Sequence, residues 1–540
     1  MQSARSFTLA LLLFVVTGGC TVGPNYRAPA SRLPGQFSAA TQPATRPAAV
    51  DLKRWWEGFN DPTLNQFVER ALYSNLDVRL ANARIREARA ELAFSRAALF
   101  PTLDSSASYV RNRSSKNAFA ATGKHTSSQS STGTGGSGTV GTGTGGTGTG
   151  DTTTGGTGAG GASGPGTTTA AGANTAVFAL GETNLYQAGF DAGWEIDVFG
   201  GTRRAVEAAQ ASFQGQVEAR RNALVTLLSE VAQNYVMLRG LQHELRVVRG
   251  NVEAQRATLD LQRLKLGAGL ASNLIITQAT AQAESTESQI PTLEIKIEQT
   301  IQRLGVLLDV DPETLRPQLS AAPELPSGPG AIPPGLPSDL LRRRPDVRQA
   351  ERQLAAATAN IGVATADLFP KFNLTGSLGL ESLQLKSLAN SASVFWSAGP
   401  TVSWRIFDAG QVWANIHVQN ARQEQALIQY RRAVIQSLSD VENALTAYDR
   451  ERARSASLRR AAEANRQAVD LAKQLNDAGV VDFLNVLTAQ QSLYQSEDQL
   501  AQSEQAVLTN LIALYKALGG GWETTEAAAD AQPREPDAAK

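Results

Sequence analysis

Residues 224–266, with the sequence LVTLLSEVAQNYVMLRGLQHELRVVRGNVEAQRATLDLQRLKL, decide the fold of this chain. Apolar side chains recur there at strict seven-residue spacing, with a shorter companion row beside them: Leu224, Val231, Leu238, Leu245, Val252, Leu259 and Leu266, then Leu227, Leu241 and Val248. This period predicts a helix that packs against other helices in a left-handed supercoil. No proline interrupts residues 202–266, so the helix can extend roughly 98 Å at the usual rise per residue. We interpret the stripe as the packed core of a helical bundle.

The stripe occurs a second time, because the chain contains one unit written twice. Residues 77–101 match residues 346–370 without a gap, and the long helix after them has a counterpart at residues 411–476. The second stripe consists of Leu427, Val434, Val441 and Tyr448, with Leu438 and Leu445 beside it. Each copy predicts the order helix, strand, loop, strand, long helix, tight turn, helix. The turns and returning helices are expected at Gly269 and about residues 270–308, and at Gly479 and about residues 480–517.

The repeat also predicts the domain boundaries. The first structural repeat comprises residues 61–320, with strands at about 101–112 and 186–198 and long coiled helices over 202–308. The second comprises residues 321–522, with strands at about 371–381 and 396–407 and long coiled helices over 411–517. Gly, Thr, Ser and Ala dominate an insertion within about residues 113–180, which we expect to form an extracellular loop, and residues 523–540 are expected to be a flexible tail.

The predicted strands alternate apolar and polar residues. In one of them a single side carries Tyr186, Ala188, Phe190, Ala192, Trp194 and Ile196. Lengths of about ten residues suit a strand that crosses a membrane, although a soluble sheet packed on one face shows the same alternation. No stretch after the N-terminal signal has eighteen consecutive apolar residues, so helices cannot be the spanning element. Four strands are too few to close a barrel, so a pore requires an oligomer: eight strands from two chains, or twelve from three.

The N-terminus resembles a secretion signal followed by a lipoprotein processing site. An apolar run over residues 7–16 precedes small residues and then Cys20, the one cysteine of the chain. We expect a signal peptide over residues 1–19, a covalent N-acyl diacylglyceryl lipid on Cys20, and a lipid-anchored N-terminal extension over residues 20–60. A threonine rather than an aspartate follows the cysteine, which in such lipoproteins implies sorting to the outer membrane. A secreted protein with a chance cysteine is the alternative.

Composition argues against several classes of function. The chain has 50 basic and 50 acidic residues, so no bulk charge favours nucleic acid or an anionic surface. One cysteine allows no internal disulfide, and three scattered histidines, His125, His243 and His417, do not form a zinc site. A GxGxxG pattern in the Gly/Thr-rich segment has no strand before it and no helix after it. We expect no enzyme activity, no nucleic-acid binding, no metal, and no cofactor besides the lipid.

Several motifs together resemble one family. They are Cys20 to Tyr26, Trp55-Trp56, Asp61-Pro62, Leu340 to Val347, Phe369-Pro370, Trp404 to Asp408, and Tyr515 to Trp522. These motifs are similar to those of the TolC-like outer membrane factors, in the lipoprotein branch that serves RND-type efflux. The resemblance implies a mainly α-helical homotrimer, in which a twelve-stranded transmembrane β-barrel continues into a twelve-helix periplasmic tunnel. It also implies a periplasmic adaptor (membrane fusion) protein docked on the tunnel tip and an inner-membrane transporter of the RND type.

The same resemblance assigns roles to the two hairpin turns. Residues 266–274 and 475–484 should form the periplasmic entrance of the tunnel. Family members constrict this entrance with rings of aspartate, and the candidate gate residues here are Asp482 and Asp477. Asp482 could equally be the N-cap of the helix that follows the turn. The candidate adaptor contacts are the exposed turn residues Gly269, Leu270, Gly479 and Val480.

We therefore expect an outer-membrane exit channel subunit of a tripartite efflux system, lipid-anchored in outer-membrane lipid and extending into the periplasm. It would conduct drugs or other small toxic compounds passively from adaptor and transporter to the outside. Alternatives are an exit duct for type I secretion or metal efflux, or a lipid-anchored periplasmic coiled-coil scaffold without a pore. A scaffold lacking its lipid would be released from membranes by salt or alkali, whereas a barrel would still need detergent.

Overall fold

The structure of the protein is a computed structural model that describes residues 21–29, 52–113, 182–319, 324–328, 339 and 342–524. The chain divides into two units. The helical unit comprises Met1–Pro101, Trp194–Leu374 and Pro400–Lys540, and the strand unit comprises Thr102–Gly193 and Thr375–Gly399. The expected signal peptide, Cys20, the Gly/Thr-rich loop and the tail beyond residue 524 lie outside the described residues.

The elements follow the predicted order in both repeats. The first repeat contains α1 (Pro62–Ser74), α2 (Leu76–Ala97), β1 (Thr102–Arg113), β2 (Glu182–Ile196), α3 (Gly201–Gly267), α4 (Asn273–Glu287), α5 (Gln289–Leu308) and α6 (Pro312–Leu319). The second repeat contains α7 (Pro345–Ala366), β3 (Lys371–Ser382), β4 (Val394–Ser403), α8 (Gln411–Asp477) and α9 (Phe483–Ala517). Short 3-10 turns precede α1 and connect β3 to β4, at Leu52–Phe59, Leu385–Ser387 and Ser391–Ser393.

The two repeats have matching element lengths. Helices α2 and α7 both contain 22 residues and begin 269 positions apart, at Leu76 and Pro345. Helices α3 and α8 both contain 67 residues and begin 210 positions apart, at Gly201 and Gln411. Strands β1 and β3 both contain 12 residues. The predicted duplicated unit is confirmed.

The start of α8 corrects one predicted strand. The carboxylate of Asp408 accepts hydrogen bonds from the backbone N–H groups of Gly410 and Val412, at 2.9 and 2.8 Å. These bonds satisfy donors that a helix N-terminus otherwise leaves without partners. Asp408 therefore belongs to the N-terminus of α8 and not to a strand. The strand expected over about residues 396–407 ends at Ser403, so its predicted C-terminal end is wrong.

The strand expected over about residues 186–198 also has different ends. β2 begins at Glu182, because its first residues continue the ladder with β1, where Glu182 is paired with Arg113. Beside that pair, the hydroxyl of Tyr109 donates a hydrogen bond to Asn184 Oδ1 at 3.0 Å. β2 ends at Ile196, because the N–H of Val198 turns back to the Ile196 carbonyl at 2.8 Å.

The returning helix of the first repeat is divided at Ser288 into α4 and α5, which the prediction of one helix over about residues 270–308 did not include. Pro291 explains the break, because it has no N–H to donate to the carbonyl of Glu287 and its ring crowds that carbonyl. In the second repeat Ala501 occupies the equivalent position, and α9 is unbroken.

The strand unit is a four-stranded sheet in the order β1-β2-β3-β4. β1 and β2 are antiparallel, and their register places Ala107 opposite Ala188 and Tyr109 opposite Tyr186. The predicted apolar sides of both strands therefore share one face. Among the described residues, β1 and β4 each have one edge with no strand beside it.

The core of the helical unit is built on the stripe of α3. Every member of its two apolar rows except Leu266 is buried. Trp55 and Trp56, which the sequence analysis assigned to an N-terminal extension, are buried in the same cluster. The ring of Trp55 stacks on Tyr515 of α9 with a centroid distance of 5.0 Å. Trp55, Trp56 and Phe59 of this segment are thus part of the core. None of the described helices is both long and apolar enough to cross a bilayer.

Candidate functional site

The two long helices end in turns of the same design. In each turn the N–H of a glycine donates to the carbonyl three residues earlier, and the next N–H donates to the carbonyl five residues earlier, at 2.8 to 3.0 Å. This is the Schellman motif, which places a left-handed residue after the helix. Gly269 and Gly479 supply it, with φ of 75° and 71°. The motif ends α3 and α8 sharply, so the next helix can return along them.

The turns expose apolar side chains. Leu270 and Val480, at equivalent positions, are 78% and 69% exposed. A Cβ added at Gly269 or Gly479 would meet no neighbouring atom within 4 Å, so the backbone around both glycines is open as well. The four residues predicted to contact an adaptor are therefore accessible. Apolar side chains grouped on an exposed surface are typical of a protein-binding site.

Asp482 and Ser272 occupy equivalent N-cap positions, but their side chains differ in what they bind. Ser272 Oγ accepts a hydrogen bond from the N–H of Ile275 at 3.5 Å. Asp482 has the extended backbone of an N-cap, yet its carboxylate accepts no capping hydrogen bond. It is exposed and forms no ion pair among the described residues. Asp482 therefore sits in the predicted cap position without acting as a side-chain cap, and its charge remains available to another partner.

Asp477, the second gate candidate, is already paired within the chain. The ammonium nitrogen of Lys265 lies 3.0 Å from Asp477 Oδ1, so the pair joins the ends of α3 and α8. Both side chains are partly open to solvent, and exposed pairs of this kind contribute about 0.2–1 kcal/mol. Because a cation neutralises Asp477 locally, Asp482 is the stronger candidate for a charged gate.

A pair of carboxylates lies between α3 and α9, well away from the turns in sequence. The amide nitrogen of Gln502 donates to Asp498 Oδ2 at 3.1 Å and to Glu244 Oε1 at 3.4 Å. Burial, reinforced by the negative charge of Asp498, raises the pKa of Glu244 above its ordinary value. The sequence analysis missed this cluster, because its members belong to no motif and meet only when α9 packs on α3.

The helical unit leaves two faces uncovered. α7 packs against both α3 and α8, whereas its equivalent α2 packs mainly on α3. In consequence ten of the 22 residues of α7 are buried, but only three of the 22 residues of α2. The long helices show the same asymmetry, with 25 of 67 residues buried in α3 and 13 of 67 in α8. The missing contact is the one between α2 and α8.

One ion pair shows what the missing contact would contain. Between α7 and α3, a guanidinium nitrogen of Arg348 lies 2.6 Å from Glu218 Oε1. The repeat offsets of 269 and 210 make Arg79 of α2 the equivalent of Arg348, and Ile428 of α8 the equivalent of Glu218. Arg79 is exposed, and Ile428 is 57% exposed. The isoleucine of α8 and the aliphatic part of the arginine of α2 are therefore both free of this helix contact within one chain, and they could pack together between two chains.

The apolar face of the sheet is exposed across all four strands. A shallow groove on this face is lined by one large apolar side chain from each strand: Leu103, Phe190, Leu378 and Trp396. All four are exposed. A contiguous apolar sheet face with aromatic side chains is what a lipid-facing wall presents, whereas a soluble sheet covers such a face.

The long helices and the exposed sheet face are features expected of an outer-membrane channel. The family model for outer membrane efflux proteins matches residues 67–140, 161–308 and 336–520, so the chain belongs to that family. It is 30% identical to Nodulation protein T of Rhizobium leguminosarum bv. viciae, over 98% of this chain and 96% of that protein. It is 29% identical to the solvent efflux pump outer membrane protein SrpC of Pseudomonas putida, over 96% of this chain and 99% of SrpC. The solved structure of the outer-membrane channel OprN matches with a TM-score of 0.79 and 32% identity, over 93% of this chain and 100% of that one.

These findings confirm the predicted family, the fold class, the outer-membrane location and the role as outer-membrane component of an efflux system. The structure brings the predicted turn residues together on two hairpin ends that Lys265 and Asp477 connect. The acylation of Cys20 stays a prediction, because that residue lies outside the described part of the chain. No group of three or more His, Cys, Asp and Glu side chains could hold a metal ion within the described residues.

Proposed function

We propose that three copies of the chain assemble into an exit duct of the outer membrane. The uncovered faces of α2 and α8 carry this proposal, because they repeat the pair that α7 and α3 form within one chain. Each copy would offer α2 to one neighbour and α8 to the other, and such a head-to-tail interface generates a ring. Three copies supply twelve strands and an open lumen, whereas the eight strands of two copies would leave a lumen filled by side chains.

The strand unit supports the same arrangement. β1 and β4 each offer one unpaired edge among the described residues, and neighbouring copies can pair them into a closed barrel. Closure removes the unpaired N–H and C=O groups that hydrocarbon does not tolerate. The exposed apolar face would then contact outer-membrane lipid. A periplasmic scaffold fits these observations less well, because it would leave that face in water.

The cargo proposed for this duct is small toxic organic compounds, which would pass without catalysis and without a cofactor. The name of SrpC, a solvent efflux pump protein, supports this class of cargo. We further propose that a periplasmic adaptor docks on the exposed turn residues Leu270 and Val480, with an inner-membrane RND transporter behind it. Cysteines introduced at Gly269, Leu270, Gly479 and Val480 should be cross-linked to the adaptor, and failure at all four positions would remove this surface from consideration.

The gate proposed at the entrance is a ring of three Asp482 carboxylates. Like charges that converge on one axis raise the local concentration of cations and resist close approach of the chains. Asp482→Ala should therefore lower cation selectivity and change single-channel conductance. Asp477→Ala serves as the matched control, because Asp477 is paired with Lys265 and its loss should alter the current less. Equal currents in Asp482→Ala and the unmodified protein would remove Asp482 from the gate.

Electrical recording tests the duct itself. Purified protein in detergent, reconstituted into a planar lipid bilayer, should form discrete ion-conducting channels, and its mass should correspond to three chains. A stable monomer that conducts no ions would contradict the proposal. The lipid proposed on Cys20 is tested separately, by the mass of the N-terminal peptide after proteolysis.

A further inference from the structure

Residues 21–26 lie against the start of α3 and one face of α7, although the family match begins only at residue 67. The N–H of Val22 donates to the Phe199 carbonyl at 3.1 Å. Further along, the hydroxyl of Tyr26 donates to Glu351 of α7 at 3.0 Å. The guanidinium of Arg352 lies 5.9 Å from the centre of the same Tyr26 ring. This segment, named here the docking segment, is thus held at both ends.

Arg204 of α3 holds its centre. The Nε–H of Arg204 donates to the carbonyl of Val22 at 3.0 Å, and one terminal nitrogen donates to the carbonyl of Gly23 at 3.3 Å and to Asn25 Oδ1 at 2.7 Å. The other terminal nitrogen is paired with Glu207 at 2.7 Å. The Arg204 side chain is only 4% exposed. A buried guanidinium that donates three hydrogen bonds to one short segment fixes the backbone position of that segment. If the segment moved away, each acceptor would lose a charge-assisted hydrogen bond.

Close backbone approach completes the site. Gly23 has φ of 86°, and a Cβ there would fall on the backbone of Gly362 in α7. A Cβ at Gly362 would in turn lie 2.7 Å from the Arg204 side chain. Glycine at positions 23 and 362 therefore allows the backbone of the docking segment to lie in direct contact with α7 and with the Arg204 side chain of α3. The Cys20 to Tyr26 motif, so far only a sign of family resemblance, has here a physical role for Gly23, Asn25 and Tyr26.

The start of α8, which is equivalent to the start of α3, lacks the buried arginine of this site. Ala414 stands at the position equivalent to Arg204, and Gly410 stands at the position equivalent to Gly200. Thr21 lies against Gly200, whereas a Cβ at Gly410 would meet nothing within 4 Å. The buried arginine thus occurs only in the long helix that contacts the docking segment. A purely structural need of the long-helix start would have required it in both.

We propose that the docking segment is a fixed mount for the lipid anchor, with Arg204 as its positioning residue, so that the acyl chains enter the membrane beside the start of α3. The partner of this surface is outer-membrane lipid, reached through the residue that directly precedes Thr21. The inference rests on the proposed acylation of Cys20. In a mount of this kind residues 21–26 keep the same position on the helical unit in every copy.

Hydrogen–deuterium exchange of the full-length protein in lipid nanodiscs tests the mount. Residues 21–26 should be protected in the unmodified protein, and Arg204→Gln should raise their exchange rate roughly tenfold or more. The rest of α3 and α7 should exchange as before. Asn25→Ala removes one of the three hydrogen bonds that Arg204 donates to the segment. It should therefore raise the exchange rate of residues 21–26 by less than Arg204→Gln does. Arg249→Gln is the matched control, because Arg249 lies on the same helix and pairs with Glu294 of α5, far from the docking segment.

The outcomes separate the mount from the anchor. If residues 21–26 exchange freely in the unmodified protein, or if Arg204→Gln changes nothing there, the mount is overturned whether or not Cys20 is acylated. If the N-terminal peptide carries no acyl mass while the segment is protected, the acylation of Cys20 fails and the segment has no anchor to position. Protection lost across all of α3 in Arg204→Gln would make Arg204 a general structural residue, which also contradicts the proposal.

Discussion

The two repeats share their lengths and their order of elements, but they differ in how much of each helix the chain itself covers. In the first repeat α3 is enclosed by α1, α2, α4, α5, α7 and α9, and in the second α8 leaves a long face open. For the short helices the more buried copy is in the other repeat: α7 of the second repeat is enclosed and α2 of the first is not. One chain therefore carries half of an interface at each side. In the proposed ring, α2 of one copy and α8 of its neighbour would form the contact that a single chain lacks.

The largest effect is expected from charge placed in the proposed interface. Ile428→Arg would put a cation against Arg79 of the neighbouring copy, and like charges brought together in an interface cost several kcal/mol. The variant should be folded but monomeric, as measured by native mass spectrometry in detergent and by circular dichroism.

The matched control is Ile428→Glu, which recreates the pair that Glu218 and Arg348 form between α3 and α7. It should still assemble. If both variants assemble, or if both remain monomers, the equivalence between the two pairs of helices is contradicted.

Core substitutions at equivalent positions should differ next. Leu228 is fully buried in α3, whereas its equivalent Leu438 in α8 is only partly buried. Leu228→Ala should lower the free energy of unfolding by about 2–5 kcal/mol, and Leu438→Ala by clearly less. Both are best measured in the Ile428→Arg background by denaturant unfolding, so that assembly does not contribute. Equal losses would show that the chain covers both helices alike.

The cap positions of the two turns should separate stability from conduction. Ser272→Ala removes a capping bond and should destabilise the first turn of α4 by about 0.5–1 kcal/mol. Asp482→Ala removes no capping bond, so the exchange rates of the first turn of α9 should stay within twofold while the cation current changes. Hydrogen exchange and bilayer recording measure the two effects. Faster exchange at α9 in Asp482→Ala would restore the simple role of a helix cap.

The smallest effect is a pH dependence of stability. The raised pKa of Glu244 means that the folded state holds this proton more tightly than the unfolded state. Stability from this group is present below the ordinary glutamate pKa of about 4.3 and is lost as pH rises through the raised value. Glu244→Gln should therefore stabilise the protein at neutral pH by less than about 1 kcal/mol and have no effect at low pH. Thermal unfolding across this range checks it, and a stabilising effect confined to low pH would reverse the assigned cause.

Much of the fold follows from the sequence, because the heptad rows and the repeat offsets depend on local periodicity. The rows of α3 are buried as expected, and the element order is the one that the repeat predicts. Strand ends were less predictable, because the start of α8 depends on Asp408 and the start of β2 on its pairing with β1. Trp55 and Trp56 fall within the predicted N-terminal extension, since nothing local shows that Trp55 packs on Tyr515.

The candidate site was predictable to a similar degree. Gly269 and Gly479 follow the last apolar residues of the long helices, so the position of each glycine was sufficient to predict the turn. The pairing of Asp477 with Lys265 was not, because it joins residues 212 positions apart. The same holds for Arg204, whose role depends on a segment 181 residues earlier in the chain. Contacts of this kind are set by packing, which local patterns do not encode.

The most direct test of the ring is a disulfide cross-link between the uncovered face of α2 in one copy and that of α8 in its neighbour. Ala211 of α3 packs against Ala355 and Ala356 of α7, and the equivalents across the proposed interface are Ala421 of α8, and Arg86 and Glu87 of α2. Oxidation of the Glu87→Cys, Ala421→Cys variant in native membranes should give covalent dimers and a final species of three chains. Each single variant should give no product joined through these positions. Monomers alone from the double variant, or a ladder that continues beyond three chains, would contradict the closed trimer.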